Sequence, residues 1–199
     1  MTEPKYDIIK PTDALKTFDF GDKEGTAQTD TANKTIHSNI VNNPDKPMFD
    51  QGETFNEAVK RVIPILKDAI KNAEDNTLLV THNSVYGVIN LWNKNGRPDT
   101  FDKILREKYV KQDNQFPTGS YFEIKTDKGN IYVVRHGETE DNVKKVFRTS
   151  NTNLTDKGEK EAKEVGKKLA KVHIPLIISS SLPRAIHTSN LILDENKVK

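Results

Sequence analysis

Three short apolar runs constrain this chain more than anything else in it. Leu78-Leu79-Val80, Ile131-Tyr132-Val133-Val134 and Leu176-Ile177-Ile178 are too short for helices, and each stops at polar residues. The stops are Thr81-His82, Arg135-His136-Gly137 and Ser179-Ser180, with Arg184 close behind the last. Apolar runs of this length, bounded by turn or polar signals, read as buried strands. Stretches with helical spacing separate them, and strands alternating with helices predict an α/β three-layer sandwich with a mostly parallel central sheet. Ligands of open α/β sheets bind at the carboxyl ends of the strands. Arg135, His136, His82 and Arg184 are therefore expected to meet where such a sheet places chemistry. Arg135 suits an anion, His136 suits attack or proton transfer, and Gly137 suits close approach of the main chain to a ligand.

Taken in order, residues 6–10 read as an edge strand stopped by Pro11. Residues 15–25 read as a structured loop with Gly21 and Gly25, and residues 26–52 as a partly helical excursion, either a lid or a solvated loop. Thr54 with Glu57 forms a capping box ahead of a helix carrying Phe55, Val59, Val62, Ile63, Leu66 and Ile70. Pro64 is expected to kink or break it. Residues 77–81 are a strand, 85–92 a well-packed helix with Trp92 in the core, and 99–110 a weaker helix. Residues 120–134 read as a β-hairpin turning at Asp127-Lys128-Gly129. A helix capped by Thr155 and a last helix opened by Pro183 complete the pattern.

Composition removes several classes of function. With 31 basic and 29 acidic residues the formal charge is +2, which gives no general nucleic-acid or membrane surface. There is no cysteine, so disulfides and thiolate metal sites are excluded. No apolar run reaches the roughly 20 residues of a bilayer span. Met1-Thr2-Glu3-Pro4-Lys5 lacks the apolar stretch of a secretion signal, so a cytoplasmic location is expected.

Arg135-His136-Gly137-Glu138-Thr139 with Asn142 and Leu154-Thr155-x-x-Gly158 resembles the opening of the histidine phosphatase superfamily, in its phosphoglycerate mutase-like branch. Ser179-Ser180-x-Leu182-x-Arg184-Ala185-x-x-Thr188 resembles that branch's second-arginine motif, and Leu78-Leu79-Val80-Thr81-His82 its second-histidine strand. Asp19-Phe20-Gly21-Asp22-x-Glu24-Gly25 and Gly52-Glu53-Thr54-Phe55 resemble its middle segments. The motifs stand in the wrong order. Residues 1–125 correspond to the family's C-terminal part and 130–199 to its N-terminal part, so the chain resembles a circular permutant, one domain spanning 1–199. A tandem fragment and an exchange of halves between protomers are the duller alternatives.

The resemblance implies a metal-independent phosphomonoesterase with no cofactor, acting through a phosphohistidine on a small phosphorylated metabolite. His136 would attack phosphorus, while Arg135, Arg184 and His82, the last as an imidazolium, would surround the phosphoryl oxygens. Inorganic phosphate would bind the same place, Asn142 and Asn83 would contact substrate, and a homodimer is compatible. A phosphoglycerate mutase and a phosphate-binding protein without turnover are the alternatives. Three departures stand out. The family's next phosphate-binding arginine falls on Arg148 or Lys145. Thr17 occupies the place of the usual general-acid Glu, leaving Glu53 as first substitute and Asp19 as second. Asn83-Ser84 follows His82 where glycine is usual. Glu138 is expected to orient its loop rather than to do chemistry, and His37, His173 and His187 to be structural or surface residues.

Overall fold

The computed structural model describes residues 2–72, 75–112, 116–147 and 149–196. Among these the strands are β1 (Ile9–Thr12), β2 (Thr77–Thr81), β3 (Tyr121–Lys125), β4 (Asn130–Arg135) and β5 (Leu176–Ser180). They form one sheet in the order β1-β5-β2-β4-β3. All neighbours are parallel except the β3–β4 hairpin. The carboxyl ends of β1, β5, β2 and β4 therefore share one edge of the sheet.

Side chains alternate across the sheet, as the period of two in a strand requires. Leu79 of β2 and Ile131 and Val133 of β4 face one apolar core. That core is built from α1 (Asp30–Asn42), α2 (Phe55–Asn72), α3 (Asn83–Lys94) and α4 (Lys103–Gln112). Leu78 and Val80 of β2, and Tyr132 and Val134 of β4, face the other core with α6 (Asp156–Lys168) and α7 (Pro183–Glu195). Strands filled on both faces read as continuous apolar runs, which is why three of them were legible as segments. The architecture is the expected three-layer α/β sandwich. Trp92 is 1% exposed in the first core.

Two local expectations change, and the partly helical reading of residues 26–52 holds. The edge strand runs over residues 9–12, through Pro11 rather than stopping before it. Ile8 and Thr12 lend their carbonyls to Ile177 and Ser181. A parallel edge strand bonds its neighbour only through alternate residues, so the N–H that proline lacks is not needed there. Pro64 does not break α2, which is helical from Phe55 to Asn72. Pro64 and Lys60, whose carbonyl loses its helical donor, are both exposed residues, so water can serve in its place. In the 26–52 segment, α1 is a full helix capped by Thr29, whose hydroxyl accepts from the Ala32 N–H at 3.2 Å. The capping box of α2 forms as read, with Thr54 N–H donating to Glu57 at 2.8 Å and Glu57 N–H to the Thr54 hydroxyl at 3.1 Å.

Candidate active site

Every group of the cluster follows from a strand that stops at the same sheet edge. β4 ends at Arg135, and His136 N–H donates to the carbonyl of Thr81, the last residue of β2, at 2.9 Å. His82 follows β2 and its backbone precedes the first turn of α3. β5 ends at Ser180, and Arg184 lies in the first turn of α7. His82, His136 and Arg184 are wholly buried and Arg135 nearly so. α3, α5 (Glu140–Lys144) and α7 all begin at this edge, so their N-terminal partial positive charges are added to the two guanidiniums.

The geometry assigns the ring nitrogens. His136 Nδ1 lies 2.6 Å from the Gly137 carbonyl, which can only accept, so Nδ1 carries the proton and Nε2 the lone pair. His82 receives the Arg184 Nε–H on Nδ1 at 3.2 Å and faces the Ser180 hydroxyl with Nε2 at 2.8 Å. A nitrogen that accepts from a guanidinium is unprotonated, so His82 is a neutral imidazole with its proton on Nε2. This corrects the expected imidazolium. Between two buried arginines a third cation would be repelled, whereas a neutral ring anchors one of them. The two rings meet edge to face with centroids 4.9 Å apart.

The arginines are oriented by neutral partners. Arg184 Nη1 donates to the Thr149 carbonyl at 2.8 Å. Arg135 Nη1 donates to the Asn83 amide oxygen at 3.1 Å and to the Phe116 carbonyl. These partners fix the planes of the guanidiniums without cancelling their charge. Asn83, expected at the substrate, thus holds Arg135. Ser84, in the place of the usual glycine, accepts from the Phe18 N–H at 3.3 Å. Its hydroxyl lies 3.3 Å from that of Thr17.

The remaining expectations divide. Asn142 Oδ1 accepts from the Thr139 N–H and hydroxyl at 3.1 and 2.9 Å, a capping box that starts α5. Its amide oxygen is thereby committed to the loop. Glu53 accepts from Arg61 through both oxygens, at 2.7 and 2.9 Å, and from the Asp19 N–H at 3.0 Å. Both oxygens are thus engaged in holding Arg61 and the Asp19 loop, a bracing role in place of the general-acid role expected of Glu53. Arg61 also donates to the carbonyls of Ala14 at 2.8 Å and Thr17 at 3.1 Å, so the pair shapes the loop beside the site. Arg148 lies outside the described residues. Its alternative, Lys145, is exposed at the end of α5.

Gly137 serves a purpose other than ligand approach. A Cβ there would lie 2.1 Å from the Gly158 carbonyl, and one on Gly158 would lie 2.1 Å from the Glu138 carbonyl. The loop after His136 and the start of α6 cross backbone on backbone, which only glycine permits. Thr188 of α7 accepts from the Gly137 N–H at 3.2 Å. Glu138 pairs with Lys157 at 2.8 Å and accepts from Thr155 at 3.1 Å, so it orients the loop. The Lys157 ion pair holds its carboxyl below the usual range.

Two acids carried no role in the sequence reading. Asp141 is buried and accepts from the Thr149 N–H at 2.8 Å, the Thr149 hydroxyl at 3.1 Å and the Thr152 hydroxyl. Burial pushes its carboxyl up, but these donors and the Arg184 charge outweigh burial and leave it below its ordinary value. No motif distinguishes this Asp from its acidic neighbours. Glu24 lines a cleft with Thr17, Asp19 and Thr149. Partial burial holds its carboxyl above its ordinary value, the Asp19 charge adds to that, and Arg184 opposes it. Its segment was quoted as a motif, but spacing alone attached no chemistry to it.

Among the described residues no group of three or more His, Asp and Glu side chains is placed to hold a metal. No described helix is long and apolar enough to cross a membrane.

Comparison with known proteins follows the same lines. A family model for the histidine phosphatase superfamily, branch 1, matches residues 5–105 and 131–199. A 2,3-bisphosphoglycerate-dependent phosphoglycerate mutase of Bradyrhizobium sp. is 45% identical over 69 residues, 33% of each chain. A broad-specificity phosphatase of Saccharomyces cerevisiae is 34% identical over 70 residues, 34% of this chain and 30% of its own. A probable phosphoglycerate mutase of Salmonella choleraesuis is 41% identical over 63 residues, 31% of this chain and 29% of its own. The matches thus span about a third of the length of these relatives. No solved structure matches the chain.

Proposed function

The chain belongs to the histidine phosphatase superfamily, branch 1, and from that premise we propose that it is a metal-independent phosphomonoesterase acting on a small phosphorylated metabolite through a phosphohistidine on His136. The observation that carries this proposal is the Gly137 carbonyl at 2.6 Å from His136 Nδ1, which keeps the lone pair on Nε2. In the proposed reaction Nε2 attacks phosphorus in line with the departing oxygen. Arg135 and Arg184 receive the charge that spreads over the equatorial oxygens, and being held beforehand they need no reorganisation as it develops. His82, with Ser180 behind it, fixes the Arg184 fork. Water then cleaves the N–P bond and frees phosphate.

Hydrolysis is preferred over a phosphoglycerate mutase because of the rim. The cleft that shares Thr149 with Arg184 carries Asp19, and its Lys16 is paired with Asp13 at 3.0 Å. A carboxylated substrate would meet like charge there. The permuted reading of residues 1–199 as one domain belongs to the same proposal. It is supported by β2 of the first part lying between β4 and β5 of the second.

Hydrolysis of p-nitrophenyl phosphate by the wild type, His136→Ala and Arg184→Ala tests it. The first substitution should abolish turnover, and the second should cost roughly 10²–10³-fold, the worth of one such donor. Wild-type enzyme quenched in turnover should carry acid-labile phosphate on His136. Hydrolysis that survives His136→Ala would overturn the mechanism.

A further inference from the structure

A phosphohistidine mechanism needs a proton for the departing alkoxide, and Thr17 cannot give one. Three carboxylates stand in the neighbouring loops. Both oxygens of Glu53 are filled by Arg61. Asp19 closes its own turn, with Oδ1 accepting from the Gly21 N–H at 2.8 Å. The carboxylate of Glu24 makes no hydrogen bond or ion pair with a described residue, yet its main chain is pinned. Glu24 N–H donates to the Gly21 carbonyl at 3.3 Å, Gly25 N–H to the Phe147 carbonyl at 2.8 Å, and Phe147 N–H back to the Thr26 carbonyl at 2.8 Å. This is a held backbone with an uncommitted acid at its tip.

The position of that tip is the second observation. Glu24 lines a cleft of about 200 Å³ together with Thr17, Asp19, Thr149 and Leu182. Thr149 gives its carbonyl to Arg184 at 2.8 Å, and Leu182 immediately precedes α7. The cleft therefore shares Thr149 with the anchor of Arg184 at the proposed phosphoryl site. Since a water occupies about 30 Å³ of liquid, it has room for a small leaving alcohol.

Building on the phosphomonoesterase reading above, we propose that Glu24 is the catalytic general acid and base, taking over the task for which Thr17 lacks a proton. As His136 Nε2 forms the N–P bond, the P–O bond breaks and the Glu24 carboxyl gives its proton to the leaving oxygen. In the second half, a water oxygen bonds to phosphorus, the N–P bond returns its electrons to Nε2, and the water's proton goes to the Glu24 carboxylate. The acid is regenerated and phosphate is the product. Glu24 is exposed, and its carboxyl is nonetheless pushed upward by desolvation and by the Asp19 charge, against the pull of Arg184, in the direction a proton donor needs.

The test compares two esters in the wild type and in Glu24→Gln. Ethyl phosphate has a leaving group that must be protonated; 2,4-dinitrophenyl phosphate has one that departs unaided. kcat/KM reads only steps up to the first irreversible one, so it isolates transfer to His136 from the later attack of water. In Glu24→Gln it should fall roughly 10²–10⁴-fold on ethyl phosphate, and by less than about tenfold on the dinitrophenyl ester. The variant should also accumulate phosphohistidine from the dinitrophenyl ester, because the base for the second half is gone. Retained activity on that ester reports an intact fold and nucleophile. Equal losses on both esters, or a negligible loss on ethyl phosphate, would overturn the assignment while leaving the phosphomonoesterase reading in place. A wild type inert on both esters, with no phosphohistidine, would overturn that reading and the assignment with it.

Discussion

At the scale of single residues, the site separates groups that carry charge to a phosphate from groups that hold those carriers still. Arg135 and Arg184 are carriers; Asn83, His82, Ser180 and the Thr149 carbonyl are the holders. Glu53 belongs with the holders through Arg61, although its place in the chain suggested an acid. Replacing it tests the distinction. Glu53→Gln should lower stability by about 2 kcal/mol, as expected for lost hydrogen bonds to a charged group that is partly shielded. It should leave the ratio of kcat/KM for ethyl and dinitrophenyl phosphates near that of the wild type. Urea unfolding and the two-ester assay read both parts, and a selective loss on the alkyl ester would return Glu53 to the chemistry.

At the scale of elements, the functional loops are braced against one another rather than against the sheet alone. Gly137 and Gly158 let the loop after His136 cross the start of α6 at backbone distance. Asp141 of α5 gathers the Thr149–Thr152 turn, whose Thr149 carbonyl holds Arg184. The pH dependence of this brace has a definite sign. Its folded-state carboxyl lies below the ordinary value of 3.8, so the stabilisation is fully present above that value and is lost as pH falls through the folded one. Asp141→Asn should therefore unfold at lower urea than the wild type at pH 7, by about 2 kcal/mol. The two midpoints should draw together as the pH falls through the folded-state value. A gap that persists at low pH would mean that shape, not charge, sets the contribution of Asp141. The braces also mark the limit of sequence reading. The Thr54–Glu57 box and the Thr155 and Pro183 helix starts span three or four residues and were legible. Asp141 with Thr152, and Glu53 with Arg61, were not, because nothing in local spacing distinguishes an acid that meets a partner from one that meets water.

At the scale of the whole molecule, residues 3–6 are tied to α7. The Lys5 N–H donates to Asn190 at 2.8 Å, the Asn190 amide to the Glu3 carbonyl at 3.0 Å, and Tyr6 to Asp194 at 2.6 Å. α7 thus ends where β1 begins, while β3 and β4 are joined only by the turn at 126–129. If the chain is a permutant, the join and the break can be exchanged. A chain opened in that turn, with residues 196 and 2 connected by a short flexible linker, should fold with the same sheet and retain activity on p-nitrophenyl phosphate, since permutation is tolerated at exposed turns. Calorimetry and the ester assay check this, and a chain that fails to fold would count against the permuted reading. By itself the sequence determined the layers of the sandwich and which strand ends carry Arg135, His136, His82 and Arg184. Apolar runs and the residues that stop them are local properties that burial on both faces of a sheet writes directly into the chain. Only the tertiary structure decided that His82 is a neutral anchor, that Glu53 is spent on Arg61 and that Glu24 lies beside the site. The first two depend on which distant donor reaches a buried or half-buried oxygen or nitrogen and the third on which segments fold against one another, and all are settled by how the loops cross, not by the spacing of residues along them.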